Sequence, residues 1–153
     1  MTALVVPLVL LANGLAAGVL MGTQLGGWPL LASLPPRHYV HAHAFFATRY
    51  DPFMPVCFLG TALGDILLAA GESQAAARWA FGTSALLVLA AVIISVTRNV
   101  PINRWIRSLD PQDLPPDFAD RDPRPGWGAW NRGRCVLAVT ALLTNCLGCG
   151  LLL

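Results

Sequence analysis

The residues of this sequence that could do chemistry are few, and they gather at the edges of long apolar runs. The most distinctive group is Arg98-Asn99-Val100-Pro101-Ile102-Asn103-Arg104-Trp105, where one such run stops. Asn99 and Asn103 are four apart and share a face if the helix continues. Pro101 between them restricts its predecessor and removes a backbone donor, which predicts a turn or kink. With Arg98, Arg104 and Arg107 alongside, this is a polar, arginine-flanked mouth at the end of a hydrophobic helix. Such a mouth suits a ligand; asparagine caps and snorkelling arginines are the structural alternative.

All three histidines fall in Arg37-His38-Tyr39-Val40-His41-Ala42-His43. On a helix His38 and His41 share a face, whereas in an extended segment His41 and His43 do. Imidazole is the commonest side-chain metal ligand, so His43 with His41 and His38 is a candidate metal set. Solvated interfacial histidines are the plain alternative. Next comes Arg49-Tyr50-Asp51-Pro52-Phe53-Met54-Pro55, whose prolines place Asp51 at a helix entry, a natural capping position. Asp65 lies well inside the following apolar run. An intramembrane carboxylate is a functional candidate by default: a proton acceptor, a neighbour of a metal site, or a partner for Asn13 or Asn145. Before the last apolar run, Trp127, Trp130, Asn131 and Arg134 lie on one face within two helical turns, a pattern also expected of an interfacial belt. Cys57, Cys135, Cys146 and Cys149 read as small buried hydrophobes, the Cys-x-x-Cys spacing notwithstanding.

These groups need something to hold them. Of 153 residues, 56% are hydrophobic and only 12% charged, with ten arginines and no lysine. A soluble domain carries about twice that charged fraction. Four runs, at about residues 2–22, 53–71, 79–98 and 133–153, are apolar and long enough to cross a hydrocarbon core, which takes roughly 20 helical residues. The expected fold is all-α: a single-domain four-helix transmembrane bundle with a cytoplasmic loop between helices 3 and 4. Gly14, Gly18 and Gly22 recur every four residues in the first span, a small-residue face for helix packing and a possible seam for a homo-oligomer. Residues 26–36 read as turn-rich, and residues 110–128, rich in Pro and Asp, as a polar loop. Aspartates interleave with the arginines, so no nucleic-acid footprint exists.

With four spans, the first and third loops share one side. That side, with its span ends, holds every arginine except Arg78. Positive-inside counting puts those loops in the cytoplasm and both termini outside, in a bacterial inner membrane. The histidines, Tyr50-Asp51, Asn99/Asn103 and Trp127/Asn131/Arg134 then meet at one end of one bundle. Sites in bundles are built from side chains on facing helices. A polar mouth on an apolar interior describes a pocket for a lipophilic small molecule.

The residues that meet there also carry a resemblance. Tyr39-Val40-x-x-His43, Arg49-Tyr50-Asp51 with Met54-Pro55, Arg98-Asn99-Val100-Pro101-x-Asn103, and Trp127 followed by Trp130-Asn131-x-x-Arg134 resemble the anthrone oxygenase-like family of small integral membrane proteins. The resemblance implies a four-helix membrane oxygenase, often of natural-product pathways, that inserts oxygen from O2 into an anthrone without flavin or nicotinamide. It implies catalytic roles for His43, Asp51, Asn99, Asn103, Asn131 and Arg134. Tyr50, Arg98, Trp127 and Trp130 would contact a lipophilic aromatic substrate. Two mechanisms fit. A base such as His43 or Asp51 deprotonates the substrate and the carbanion meets O2 directly, with Asn99, Asn103 and Arg134 on the enolate oxygen. Alternatively His43, with His41 or His38, holds a redox metal, copper before iron. Relatives often have histidine where this chain has Asn131, and His38 and His41 fall outside the shared pattern. A non-catalytic pathway scaffold or small transport component is the competing function.

Overall fold

A computed structural model describes residues 2–153. The chain is all-helical, with four helices long and apolar enough to cross a membrane: α1 Thr2–Ser33, α2 Pro36–Gly71, α3 Ala75–Arg107 and α4 Arg124–Leu151. Each packs on its neighbours in sequence, and α4 returns onto α1, closing a four-membered ring. Leucines, isoleucines and valines are exposed along the outer faces, as lipid requires. Inside, the middle layer is built from small residues, including Ala16, Ala17, Ala62, Ala91, Ala138 and Ala141, which let the helices approach closely.

Every helix is longer than its apolar run, because proline and glycine do not end helices here. Pro52 and Pro55 sit inside α2, which begins at Pro36 and carries the whole histidine segment. Asp51 is therefore a mid-helix residue and not a cap. Pro101 produces no turn; a π-helical turn at Ser95–Asn99 precedes it, and Val100 N–H bonds the Ser95 carbonyl five residues back. Proline then sits in the first turn of the resumed α-helix, where its missing N–H costs least. A second π turn, Thr23–Gly27, carries α1 through the glycines to Ser33 in the same way, so the break falls at Leu34–Pro35 rather than across residues 26–36. Each wide turn adds about one residue and so lets the inward face be reset by about a quarter of a helical turn. Asn99 and Asn103, one turn apart after the π segment, are both buried.

Residues 108–123 form an ordered cap rather than a free loop. Phe118 is buried and stacks on Trp105 at 5.9 Å, within a cluster containing Leu31, Tyr39, Val40 and Ile106. Arg124 clamps the cap's end. Its guanidinium binds both oxygens of Asp122 and donates to the Leu34 carbonyl at 2.9 Å. That guanidinium holds the Asp122 carboxyl below its usual range.

The predicted glycine face meets nothing inside the bundle: a Cβ at Gly14, Gly18 or Gly22 would find no atom within 4 Å. Gly64 and Gly128 make the close approaches instead, against Val9 and the Trp28 ring. Of the cysteines, Cys57 and Cys135 are buried, whereas Cys146 is exposed on the outer face.

Candidate functional site

At the end of the bundle under the cap lies a cavity of about 510 Å³. Its walls are apolar, from Leu20, Phe46, Met54, Phe58, Val92 and Val100 among others, and all four helices contribute. The polar residues on it are His43, Tyr50 and Asp51 from α2, Ser95 and Asn103 from α3, and Trp127, Asn131 and Arg134 from α4, with Thr23 from α1.

Asn103 is the hub. Trp127 Nε1–H donates to Asn103 Oδ1 at 2.8 Å, and Asn103 Nδ2 donates to Asp51 Oδ1 at 2.9 Å. His43 Nε2 lies 2.9 Å from the same Oδ1, and His43 Nδ1 lies 2.9 Å from the Tyr39 hydroxyl. His43 is 2% exposed and meets Trp127 edge-on at 4.9 Å. Asp51 is half-buried and faces Arg107 at 3.6 Å, the nearest countercharge.

A second group stands on α4. Arg134 donates to Ser95 Oγ at 3.0 Å and to Asn131 Oδ1. Asn131 Nδ2 and Arg134 Nε are buried and have no acceptor. Buried donors without partners are uncommon, and beside a cavity they are places for a ligand oxygen. The helical period explains the grouping: residues 127, 131 and 134 recur at four and three, on one inward stripe.

Other predicted residues lie elsewhere. Asn99 does not line the cavity; its Nδ2 donates to the Trp127 carbonyl at 3.3 Å, tying α3 to α4. Arg98 and Trp130 are exposed and pair with each other, the guanidinium 5.0 Å from the indole centroid. Their outward positions follow from the helical period, since Trp130 is rotated off the stripe. His38 and His41 sit on the outer face of α2 beside Gln112, while His43 points inward. The three histidines therefore do not converge, because positions two and five apart on a helix face different ways. Both His43 nitrogens are already engaged, and among the described residues no three His, Cys, Asp or Glu side chains are placed to hold a metal ion. This donor set does not fit the three-histidine copper or iron centre. Tyr39 and Ser95 are the site residues that chemistry-first reading passed over. Tyr39 stands in the Tyr39-Val40-x-x-His43 motif without a role read from its chemistry, and Ser95 is found only through Arg134.

Deeper in the bundle is a separate polar cluster with one residue from each helix. Asn13, Asp65, Ser84 and Asn145 are all fully buried. Asn145 Nδ2 donates to Asp65 Oδ2 at 3.3 Å and to the Asn13 amide oxygen at 3.2 Å. Of the roles open to Asp65, partnership with Asn145 is the one the geometry forms.

Comparison with known proteins adds one finding. No curated protein and no solved structure matches the chain. The family described as anthrone oxygenase matches residues 43–144, from the inward histidine to the last third of α4, well over half the sequence. The matched segment contains every polar cavity residue except Thr23, and on that match the chain belongs to the anthrone oxygenase family.

Proposed function

We propose that the protein is a membrane-embedded oxygenase that uses O2 on a lipophilic, electron-rich aromatic of the anthrone type, in secondary metabolism. The observation that carries this is the apolar cavity with a carboxylate on one wall and, on another, Asn131 and Arg134, whose side chains each hold a buried donor without an acceptor. An anthrone has an acidic CH2 opposite a carbonyl. A base removes one proton, and the electron pair spreads to the carbonyl oxygen. Asn131 Nδ2 and Arg134 Nε are the donors free to receive that oxygen. Fixed donors in a dry site stabilise developing negative charge strongly, each worth about 10²- to 10³-fold in rate. The carbanion reduces O2 and forms a C–O bond; protonation gives a hydroperoxide. Loss of water, with the second hydrogen from that carbon, leaves the quinone carbonyl. The balance is anthrone plus O2 to quinone plus water, with no outside reductant.

The proposed chemistry uses side chains only. The arginine distribution supports an orientation with this end in the cytoplasm and the termini outside. A cavity whose lining includes the outward-exposed Leu59 and Val96 suits a substrate that partitions into the bilayer. Oxygen uptake by the detergent-purified protein with an anthrone, with quinone formed one for one, is the expected result. No uptake above the uncatalysed rate would sink this function.

A further inference from the structure

We propose that Asp51 is the proton acceptor and that His43 is a positioning residue, held in one neutral form by Tyr39. The argument begins at Asn103, whose amide orientation is dictated by its neighbours. Trp127 Nε1 can only donate, so the atom 2.8 Å from it must be the amide oxygen. An ionised Asp51 can only accept, so the atom 2.9 Å from Oδ1 must be the amide nitrogen. His43 Nε2 faces that same oxygen at 2.9 Å and must therefore carry a hydrogen. The neutral ring is then bare at Nδ1, which accepts from the Tyr39 hydroxyl at 2.9 Å.

Two consequences follow. His43 has no lone pair left for a substrate proton, because one nitrogen is a committed donor and the other is filled by Tyr39. An amide does not pass protons along at ordinary pH, so Asn103 also separates His43 from Asp51. The carboxylate is the base that remains on the cavity wall. The substrate C–H bond breaks, its electron pair stays on the carbon skeleton, and the proton goes to Asp51. Tyr39, His43, Asn103 and Trp127 form a fully paired network that aims that carboxylate. Tyr39 is 0% exposed and lies just before the family-matched segment, and its hydroxyl reaches the site only through His43.

The groups facing Asp51 are Arg107 and Asn103 from α3, with Arg134 from α4 on the same cavity, while α1 contributes no titratable group to the lining. The kinetic half of this assignment rests on the oxygenase reading; the hydrogen-bond half does not. Asp51→Asn is expected to lower kcat about 100-fold or more, with KM within about threefold and the acid limb of the pH profile gone. His43→Leu is expected to lose about 100-fold. His43→Gln, whose amide supplies a donor and an acceptor but cannot act as a base, should recover most of that loss, to within about tenfold of the native rate. Tyr39→Phe should lower kcat about tenfold with KM unchanged. Independently of turnover, ¹⁵N-histidine spectra of the membrane-reconstituted protein at neutral pH should show, for the signal missing in His43→Gln, a protonated Nε2 and a bare Nδ1. A proton on Nδ1 or on both nitrogens overturns the assignment, as does a folded His43→Gln that is as slow as Asp51→Asn. The oxygenase reading fails separately, if native protein takes up no O2, and the nitrogen pattern then still decides the hydrogen-bond assignment.

Discussion

The cluster at the cavity and the cluster around Asp65 are built from the same parts, an aspartate, asparagines and a hydroxyl on facing helices, yet they are left with opposite surpluses. At the cavity both amide atoms of Asn103 have partners, and the unpartnered atoms of the wall residues are donors, Asn131 Nδ2 and Arg134 Nε. Around Asp65 the unpartnered atoms are the acceptors Asp65 Oδ1 and Asn145 Oδ1, with the Ser84 hydroxyl, donor and acceptor at once, beside them. None of the deep-cluster residues lines the cavity. The deep cluster is sealed instead, with Val9 against Gly64 on one side and Phe81 against Gly148 on the other. Burying polar groups thus serves two ends in one bundle. Where space and donors coincide, the arrangement accepts a ligand oxygen; where side chains close the space, it ties four helices in register.

That contrast breaks most easily at Asn103. Asn103→Leu leaves the indole N–H, the imidazole N–H and Asp51 all without their partner. We expect turnover to fall at least about 100-fold while folded protein remains in the membrane, read by oxygen uptake on purified material. Equal activity would show that the network does not serve the cavity. Next in size, Arg134→Met or Asn131→Ala should each cost about 10²-fold in kcat with a smaller change in KM. A pure KM effect would reduce them to substrate anchors.

The third test concerns packing. Gly64→Leu drives a side chain into Val9 and should destabilise the bundle by about 1–3 kcal/mol, seen as a lower unfolding temperature in detergent. Gly18→Leu enters open space and should leave the monomer's unfolding temperature unchanged. A loss at Gly18 that depends on protein concentration would reveal a partner helix on that face. Asp65→Asn probes the sealed cluster more gently. The amide can donate to Asn145 Oδ1, so we expect stability to rise by about 1 kcal/mol with turnover per folded molecule unaltered. A dead but well-folded Asp65→Asn would join the two clusters functionally. Smallest of all, His38→Ala and His41→Ala should leave turnover unchanged, because both side chains lie outside the cavity.

Much of this was legible in the amino-acid order. Apolar runs of membrane length, with arginines crowded beside two loops, imply a four-helix bundle whose polar groups meet at one end. His43, Tyr50, Asp51, Asn103, Trp127, Asn131 and Arg134 do line the cavity there. Proline and glycine do not mark the helix limits: α2 begins at Pro36, well before Pro52, and α1 continues past Gly26 and Gly27 to Ser33. In a membrane span the backbone has no water to turn to, so α2 runs through Pro52 and Pro55 unbroken and α3 passes Pro101 after a π turn. Arg98 and Trp130 match their inward neighbours in type but differ in helical angle, and a residue or two of phase decides inside from outside.

The sequence by itself determined the class of molecule, because hydrophobicity over 20 residues and the placement of charge are local, additive properties. It also determined which chemical groups are present at the mouth. Only the tertiary structure decided what each group does. Whether Asn103 offers its oxygen or its nitrogen to His43 depends on Trp127, 24 residues on, and Asp51, 52 residues back. Hydrogen-bond direction is a property of partners, and the fold is what chooses them.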